Sequence, residues 1–273
     1  MAINFPVDVV NLNDVIAISS GLQHSLALRS DERVFSWGFN GNGQLGRTFT
    51  TDHPRERPGL VPELINVVTI STGVLHNLAV RSDGSAASWG SGGNGELGNG
   101  ETLLTQQSIQ NCGSFASAVN VSAGSGHSLI LLEGGDLWVT GGNWNGQLGL
   151  GDTTQRNFPV HLEGFVFAAV ATGLASNIGV LTNGDVVVWG LNNFSQLGDG
   201  TMTVRTTPFV LTHFIDVFSM SISNHVLVAF TSGIVYGWGR NNHGQIGDGT
   251  AENLLKNNWF LNVYCGIGLS WFV

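Results

Sequence analysis

Four histidines, His24, His76, His127 and His225, close the same four-residue phrase, Gly-x-x-His, with Ile222 standing for the glycine in the last copy. Histidine recurring in one register is the raw material of a zinc site, but zinc needs three or four ligands at about 2 Å from one ion. These four fall in separate repeats, spread around a ring at similar height. The sequence therefore predicts no metal and no cofactor, and each imidazole is expected to bond a neighbouring backbone group. Asp152, Asp199 and Asp248 recur in "GLGD" and "GDGT". The alternating oxygen ligands of a calcium loop are absent around them, so they are expected to accept backbone hydrogen bonds in turns. The run "GGNGELGNG" at 92–100 is rich enough in glycine for a phosphate cradle. It follows a strand and precedes no helix, which a phosphate site of that kind requires. No nucleophile elbow, P-loop or HExxH is present, and no catalytic residue is assigned.

The elements that carry these residues are repeated. "FSWGFNGNGQLG" at 35–46 returns as "ASWGSGGNGELG", "VTGGNWNGQLG", "VWGLNNFSQLG" and "GWGRNNHGQIG". Trp37, Trp89, Thr140 (in the Trp position), Trp189 and Trp238 are 52, 51, 49 and 49 residues apart. Thirteen residues before each lie His24, His76, His127, Ser176 and His225, and eight after those come Glu32, Gly84, Gly135, Gly184 and Gly233. A period near fifty marks a radial or stacked architecture.

Each unit reads as four short strands. Two apolar runs joined by a tight turn, as in "HSLALRSDERVFSWG", form a hairpin, and later copies place Asp-Gly or Asn-Gly where positive φ is needed. The preceding segment, such as "PGLVPELINVVTISTG", adds two more β-rich runs, and no window keeps a helical period. Four strands per unit is one propeller blade. The fold class is all-β, a single β-propeller domain over 1–273 with five complete units at about 6–57, 58–108, 109–158, 159–207 and 208–250 and a partial sixth at 251–273. Within it the Trp strand is expected between neighbouring blades, and the Leu of "GQLG" as a plug.

The charge balance narrows the partners. The chain carries −9 at pH 7, with nine Arg and a single lysine, Lys256. Arg55 and Arg57 flank Glu56, so no basic patch for nucleic acid is offered. Cys112 and Cys265 fit no disulfide framework and read as free thiols of a reducing compartment. No Sec signal peptide and no apolar run of spanning length is visible. The expected location is the cytoplasm, or a host cytosol into which the protein is delivered. Compositional drift is the default explanation of the lone lysine; selection against ubiquitin acceptors in a delivered protein is the sharper alternative.

The pattern Gly-x-x-His-Ser-Leu-Ala-Leu, then Asp-Gly, Trp-Gly and Asn-x-x-Gly-Gln-Leu-Gly resembles the repeat of the regulator of chromosome condensation family. The segment "GLQHSLALRSDERVFSWGFNGNGQLG" is close to that consensus, and the resemblance covers essentially the whole chain. Departures are Thr140 for Trp, Ser176 for His, Ser195 for Gly and Ile222 for Gly. Members are typically seven-bladed propellers that serve in nucleotide exchange on the small GTPase Ran, in ultraviolet sensing in plants, or in plain partner binding.

Each use makes a prediction at the Gly-x-x-His loops, which the resemblance places on one face. The photoreceptor has tryptophans between the Gly and the His, and this chain has none there. The Ran exchange factor carries acidic residues in these loops, a β-wedge in one blade and a basic N-terminal tail. Here no x position is Asp or Glu, and no repeat spacing exceeds 52. The loops offer instead Leu22, Gln23, Val74, Leu75, Ser125, Leu174, Asn224 and Ile267 as partner-binding candidates, with an apolar patch of the kind found at protein interfaces. The histidines and tryptophans are structural repeat residues. The expected function is non-enzymatic protein binding, with Ran or a regulator of its cycle as the partner class. Guanine nucleotide exchange on a small GTPase is the alternative, and an extracellular or virion adhesion module the second alternative.

Overall fold

Each fifty-residue period closes into one antiparallel sheet. The computed structural model describes residues 6–48, 55–212, 214 and 216–253. Blade 1 holds β1 (Val15–Ser20), β2 (His24–Arg29), β3 (Val34–Gly38) and β4 (Gly59–Leu60). Blade 2 holds β5 (Val67–Thr72), β6 (His76–Arg81), β7 (Ala86–Gly90) and β8 (Gln106–Asn111). Blade 3 holds β9 (Ala118–Ala123), β10 (His127–Leu132), β11 (Leu137–Gly141) and β12 (Arg156–Leu162). Blade 4 holds β13 (Phe167–Thr172), β14 (Ser176–Leu181), β15 (Val186–Gly190) and β16 (Arg205–Leu211). Blade 5 shows three strands among the described residues, β17 (Val217–Ile222), β18 (His225–Phe230) and β19 (Val235–Gly239). The partial sixth unit expected at 251–273 lies outside the described residues beyond Asn253, as do Ile267, Lys256 and Cys265.

Strands within a sheet follow chain order, so every blade is a meander. The sheets cut the chain differently from the sequence units. The β-rich segment between one Trp strand and the next histidine is shared. Its first run, Gly59–Leu60 for example, is the outer strand of one blade, and its second, Val67–Thr72, is the inner strand of the next. The long link in each meander is the loop from the Trp strand to the outer strand of the same sheet, Gly90 to Gln106 for example, and the crossing to the next blade is short, Asn111 to Ala118.

Successive inner strands β1, β5, β9, β13 and β17 pack side by side. Among the described residues no comparable packing joins β17 back to β1. The core is accordingly four apolar layers, one per blade interface. Trp89 and Trp189 are fully buried in such layers and Trp238 nearly so, whereas Trp37, in blade 1, is half-buried. Leu45, Leu97, Leu148, Leu197 and Ile246 of the "GQLG" motif are all buried, each contributing about 1.5–3 kcal/mol.

The glycine of each Trp-Gly pair answers a close approach. Gly38, Gly90, Gly141, Gly190 and Gly239 have φ between 100° and 109°. A Cβ on any of them would press on the carbonyl oxygen of the residue before the repeat's His position. The backbone turns there because only glycine fits and only glycine tolerates that φ.

Candidate functional site

His24 Nε2 lies 2.7 Å from Asn77 Oδ1, His76 Nε2 3.0 Å from Ser128 Oγ, and His127 Nε2 2.7 Å from Asn177 Oδ1. The expected backbone partner is thus corrected to a side chain of the next blade. That side chain in turn donates to the first blade's loop: Asn77 Nδ2 to Gln44 O at 2.9 Å, Ser128 Oγ to Glu96 O at 2.7 Å, Asn177 Nδ2 to Gln147 O at 2.8 Å. The same Gln carbonyls accept the indole N–H of the next blade's tryptophan, Trp89 to Gln44 and Trp189 to Gln147, both at 3.0 Å, as Trp238 does to Gln196.

The first three interfaces are therefore each pinned by a buried relay from His to Asn or Ser to a main-chain carbonyl. Burial holds the His76 imidazole down at about 3 and His127 at about 4, and lowers His24 too. These rings stay neutral and act as struts. They are engaged at different interfaces, and among the described residues no group of three or more His, Cys, Asp or Glu gathers to hold an ion.

The fourth interface shows what the relay needs. There the histidine is Ser176 and the position of Asn77 is Val226, so both partners are lost together; Ser176 Oγ turns to Ser223 O at 3.3 Å. The loop glycine is part of the same device. A Cβ on Gly21, Gly73 or Gly124 would collide with the imidazole tucked beneath it. Where Ile222 replaces that glycine, His225 is half-buried and makes no side-chain hydrogen bond among the described residues.

One buried carboxyl belongs to this framework. Glu96 replaces the Gln of "GQLG", is 1% exposed, and its Oε2 accepts the Asn94 amide at 2.7 Å, as Gln44 Oε1 accepts Asn42 N. Desolvation raises its pKa. A carboxyl raised on folding costs stability once the pH exceeds its unfolded value. Glu96→Gln is expected to stabilise the protein by about 1 kcal/mol at pH 7, with the gain shrinking in acid where Glu96 is protonated. Urea midpoints at both pH values check this.

The Gly-x-x-His loops do converge. Gly21-Leu22, Gly73-Val74, Gly124-Ser125, Gly173-Leu174 and Ile222-Ser223 line one axial mouth of about 260 Å³. Leu22 is 70% and Leu174 43% exposed, Ser125 is exposed and Val74 half-buried. Neighbouring loops are tied by main-chain bonds, Ser125 N to Leu174 O at 3.0 Å and Val74 N to Gly124 O at 3.2 Å. Below the mouth, hydroxyls link adjacent inner strands, Ser19 to Thr72 at 2.7 Å and Ser122 to Thr172 at 2.8 Å. Among the described residues no charged side chain lines it.

The residue just before each His behaves differently. Gln23, Leu75 and Asn224 do not line the mouth; their carbonyls accept the amides of Phe39, Ser91 and Arg240, which hold the exit from each Trp strand. The aspartates sit in turns as expected. Asp152, Asp199 and Asp248 accept the amides of Thr154, Thr201 and Thr250 at 2.8–2.9 Å. Cys112 is buried, and burial pushes its thiol up to about 12.

The sequence profile of the regulator of chromosome condensation (RCC1) repeat matches residues 31–80, 83–131 and 134–175. A second profile of that repeat matches 15–44, 118–147 and 223–245. The chain is 32% identical over 170 residues to human "Probable E3 ubiquitin-protein ligase HERC6", covering 58% of this chain and 16% of that protein. It is 35% identical over 150 residues to the Ultraviolet-B receptor UVR8 of Arabidopsis thaliana, covering 54% of this chain and 34% of the receptor. It is 33% identical over 146 residues to the mouse regulator of chromosome condensation, covering 53% and 35%. The matches thus span about a third or less of those relatives. Among solved structures, human WBSCR16 superposes with a TM-score of 0.79 at 27% identity, over 89% of this chain and 66% of that one. Prp20p of Saccharomyces cerevisiae, described with its binding to Gsp1p and histones, superposes at 0.64 over 90% of this chain and 78% of its own; at 20% identity that likeness is one of fold.

Proposed function

Because the chain belongs to the regulator of chromosome condensation repeat family, we propose that it is a protein-binding propeller that engages a small GTPase of the Ran type, or a regulator of its cycle, through the axial mouth. The observation that carries this is the convergence of the loops on one rim with Leu22 and Leu174 standing out from it. Apolar side chains exposed together on a rigid scaffold favour a protein surface over a small polar ligand. The similarity to the mouse regulator of chromosome condensation supports the partner class. Among the described residues the mouth presents no carboxylate, so the reading is binding; guanine nucleotide exchange is the alternative, read by release of labelled nucleotide from Ran.

Both leucines are exposed and anchor no blade interface, so Leu22→Asp with Leu174→Asp should leave folding intact. Purified Ran is expected to bind the wild type, and the double variant at least 30-fold more weakly, in the range of two interface anchors. Calorimetric titration measures it, with thermal melting to confirm that the variant is folded. Equal affinity would remove the rim from the account.

A further inference from the structure

The interface between blades 2 and 3 is built differently from its sisters, and the difference opens a cleft. In blades 2 and 4 the third strand presents a small or branched residue and then the buried indole on one face, Ala87 with Trp89 and Val187 with Trp189. In β11 the order is displaced by two residues: Trp138 stands at the first position and Thr140 at the second. Alternation keeps both on the same face of the strand. The indole has moved two residues along its strand, toward the β10–β11 hairpin.

The neighbours confirm the move. Gly46, Gly149 and Gly198 each pack on an indole, Trp89, Trp189 and Trp238. The equivalent Gly98 instead meets Cys112, Thr140 and Pro159. The crossing loops into blades 2 and 5 turn an apolar side chain inward, and Leu64 joins the core layer of Trp89 while Phe214 packs on Trp238 at 5.6 Å. Phe115, in the crossing loop from blade 2 to blade 3, packs on the displaced Trp138, edge to face at 5.6 Å. Trp138 is left half-buried, and Phe158 is 59% exposed.

The result is a cleft of about 640 Å³ with Trp138, Phe115, Phe158 and Pro159 as its apolar walls and Asn99 and Asn111 among its polar groups. That volume is within the range of small-molecule sites, which are mostly aromatic with a few polar groups to fix orientation. Among the described residues no ionised side chain lines it. His161 packs against Trp138, its ring 5.4 Å from the indole, and its Nε2 lies 3.2 Å from Asp136. An uncharged aromatic wall rewards a ring that can stack or meet it edge-on, whereas a charged group would lose hydration there with no ionised partner among the described lining residues.

We propose that this cleft is a binding site for a neutral, planar aromatic ring of about indole size. The site is separate from the axial mouth and independent of the partner proposed there. Free heteroaromatic compounds and a tryptophan side chain on another polypeptide share this chemistry. The walls bind the ring, and the Asn99 and Asn111 amides orient whatever amide or hydroxyl it carries.

Calorimetric titration of the full chain with 3-methylindole and with N-acetyl-tryptophanamide tests the site. Tryptamine and indole-3-acetate serve as cationic and anionic controls. The neutral probes are expected to bind at least tenfold more tightly than either charged one. Tighter binding of the amide-bearing probe identifies the polypeptide source, and equal binding the free ring. Phe158→Ser, at an exposed position, should weaken the neutral probes at least tenfold without changing the melting temperature, and Ser114→Arg at the rim should do the same by obstruction. Absence of binding at millimolar probe, tighter binding of tryptamine, or unchanged affinity in both variants would overturn the proposal.

Discussion

Trp189→Ala is expected to remove roughly 3–5 kcal/mol of stability, the range for truncating a fully buried tryptophan. Trp189 is fully buried, its ring lies 5.9 Å from Phe167, and its N–H is donated to Gln147 O. Truncation leaves a cavity between blades 3 and 4 and removes one of the two donors on a buried carbonyl, the other being Asn177. Trp37→Ala is the control. The same repeat position in blade 1 is half-buried and has no described blade in front of it, so its loss should cost about 1–2 kcal/mol. Urea unfolding of the two variants separates them. Equal losses would mean that the blade interfaces do not carry the stability assigned to them.

Acid should be the second large effect. His76 and His127 are held at about 3 and about 4 in the folded chain, against about 6.5 when unfolded, because burial penalises the imidazolium. A histidine depressed on folding contributes stability that is complete above its unfolded pKa and is lost as the pH falls from about 6.5 towards the folded value. Between pH 7 and pH 5 each ring then costs about 2 kcal/mol, and the two together roughly 4 kcal/mol. His24 is shifted in the same direction and adds to the loss. Thermal melts at pH 7, 6 and 5 should show the midpoint falling steeply. His76→Asn with His127→Asn should flatten that fall while lowering stability at pH 7. An unchanged pH profile in the double variant would place the acid sensitivity elsewhere.

These effects rest on features that differed in how plainly the sequence displayed them. The propeller, the Trp strand and the leucine plug were legible because each is local and recurs at a fixed offset. The relay was not, because its partner sits one repeat away and changes type, Asn77, Ser128 and Asn177. The paired departures Ser176 and Val226 were the available signal, readable only by comparing each His with the residue one blade on. The blade frame was hidden for a related reason: one β-rich segment serves two sheets. The two-residue displacement of Trp138 against Thr140 read as a lapse in the motif, and only the packing shows that it opens a cleft.

The candidate rim was legible in part. Leu22, Val74, Ser125 and Leu174 come together because the first residue after each loop glycine faces the axis. Gln23, Leu75 and Asn224 sit outside the mouth because their carbonyls are committed to the exit of the Trp strand. Ile267 lies outside the described residues.

The rim's role is tested most directly by affinity capture from eukaryotic cytosol, comparing wild type with a Leu22→Asp, Val74→Asp, Leu174→Asp variant by quantitative mass spectrometry. Ran or regulators of its cycle are predicted to be retained by the wild type and absent from the folded variant. Equal retention by both, or no enrichment of that class by either, would contradict the rim as the binding surface.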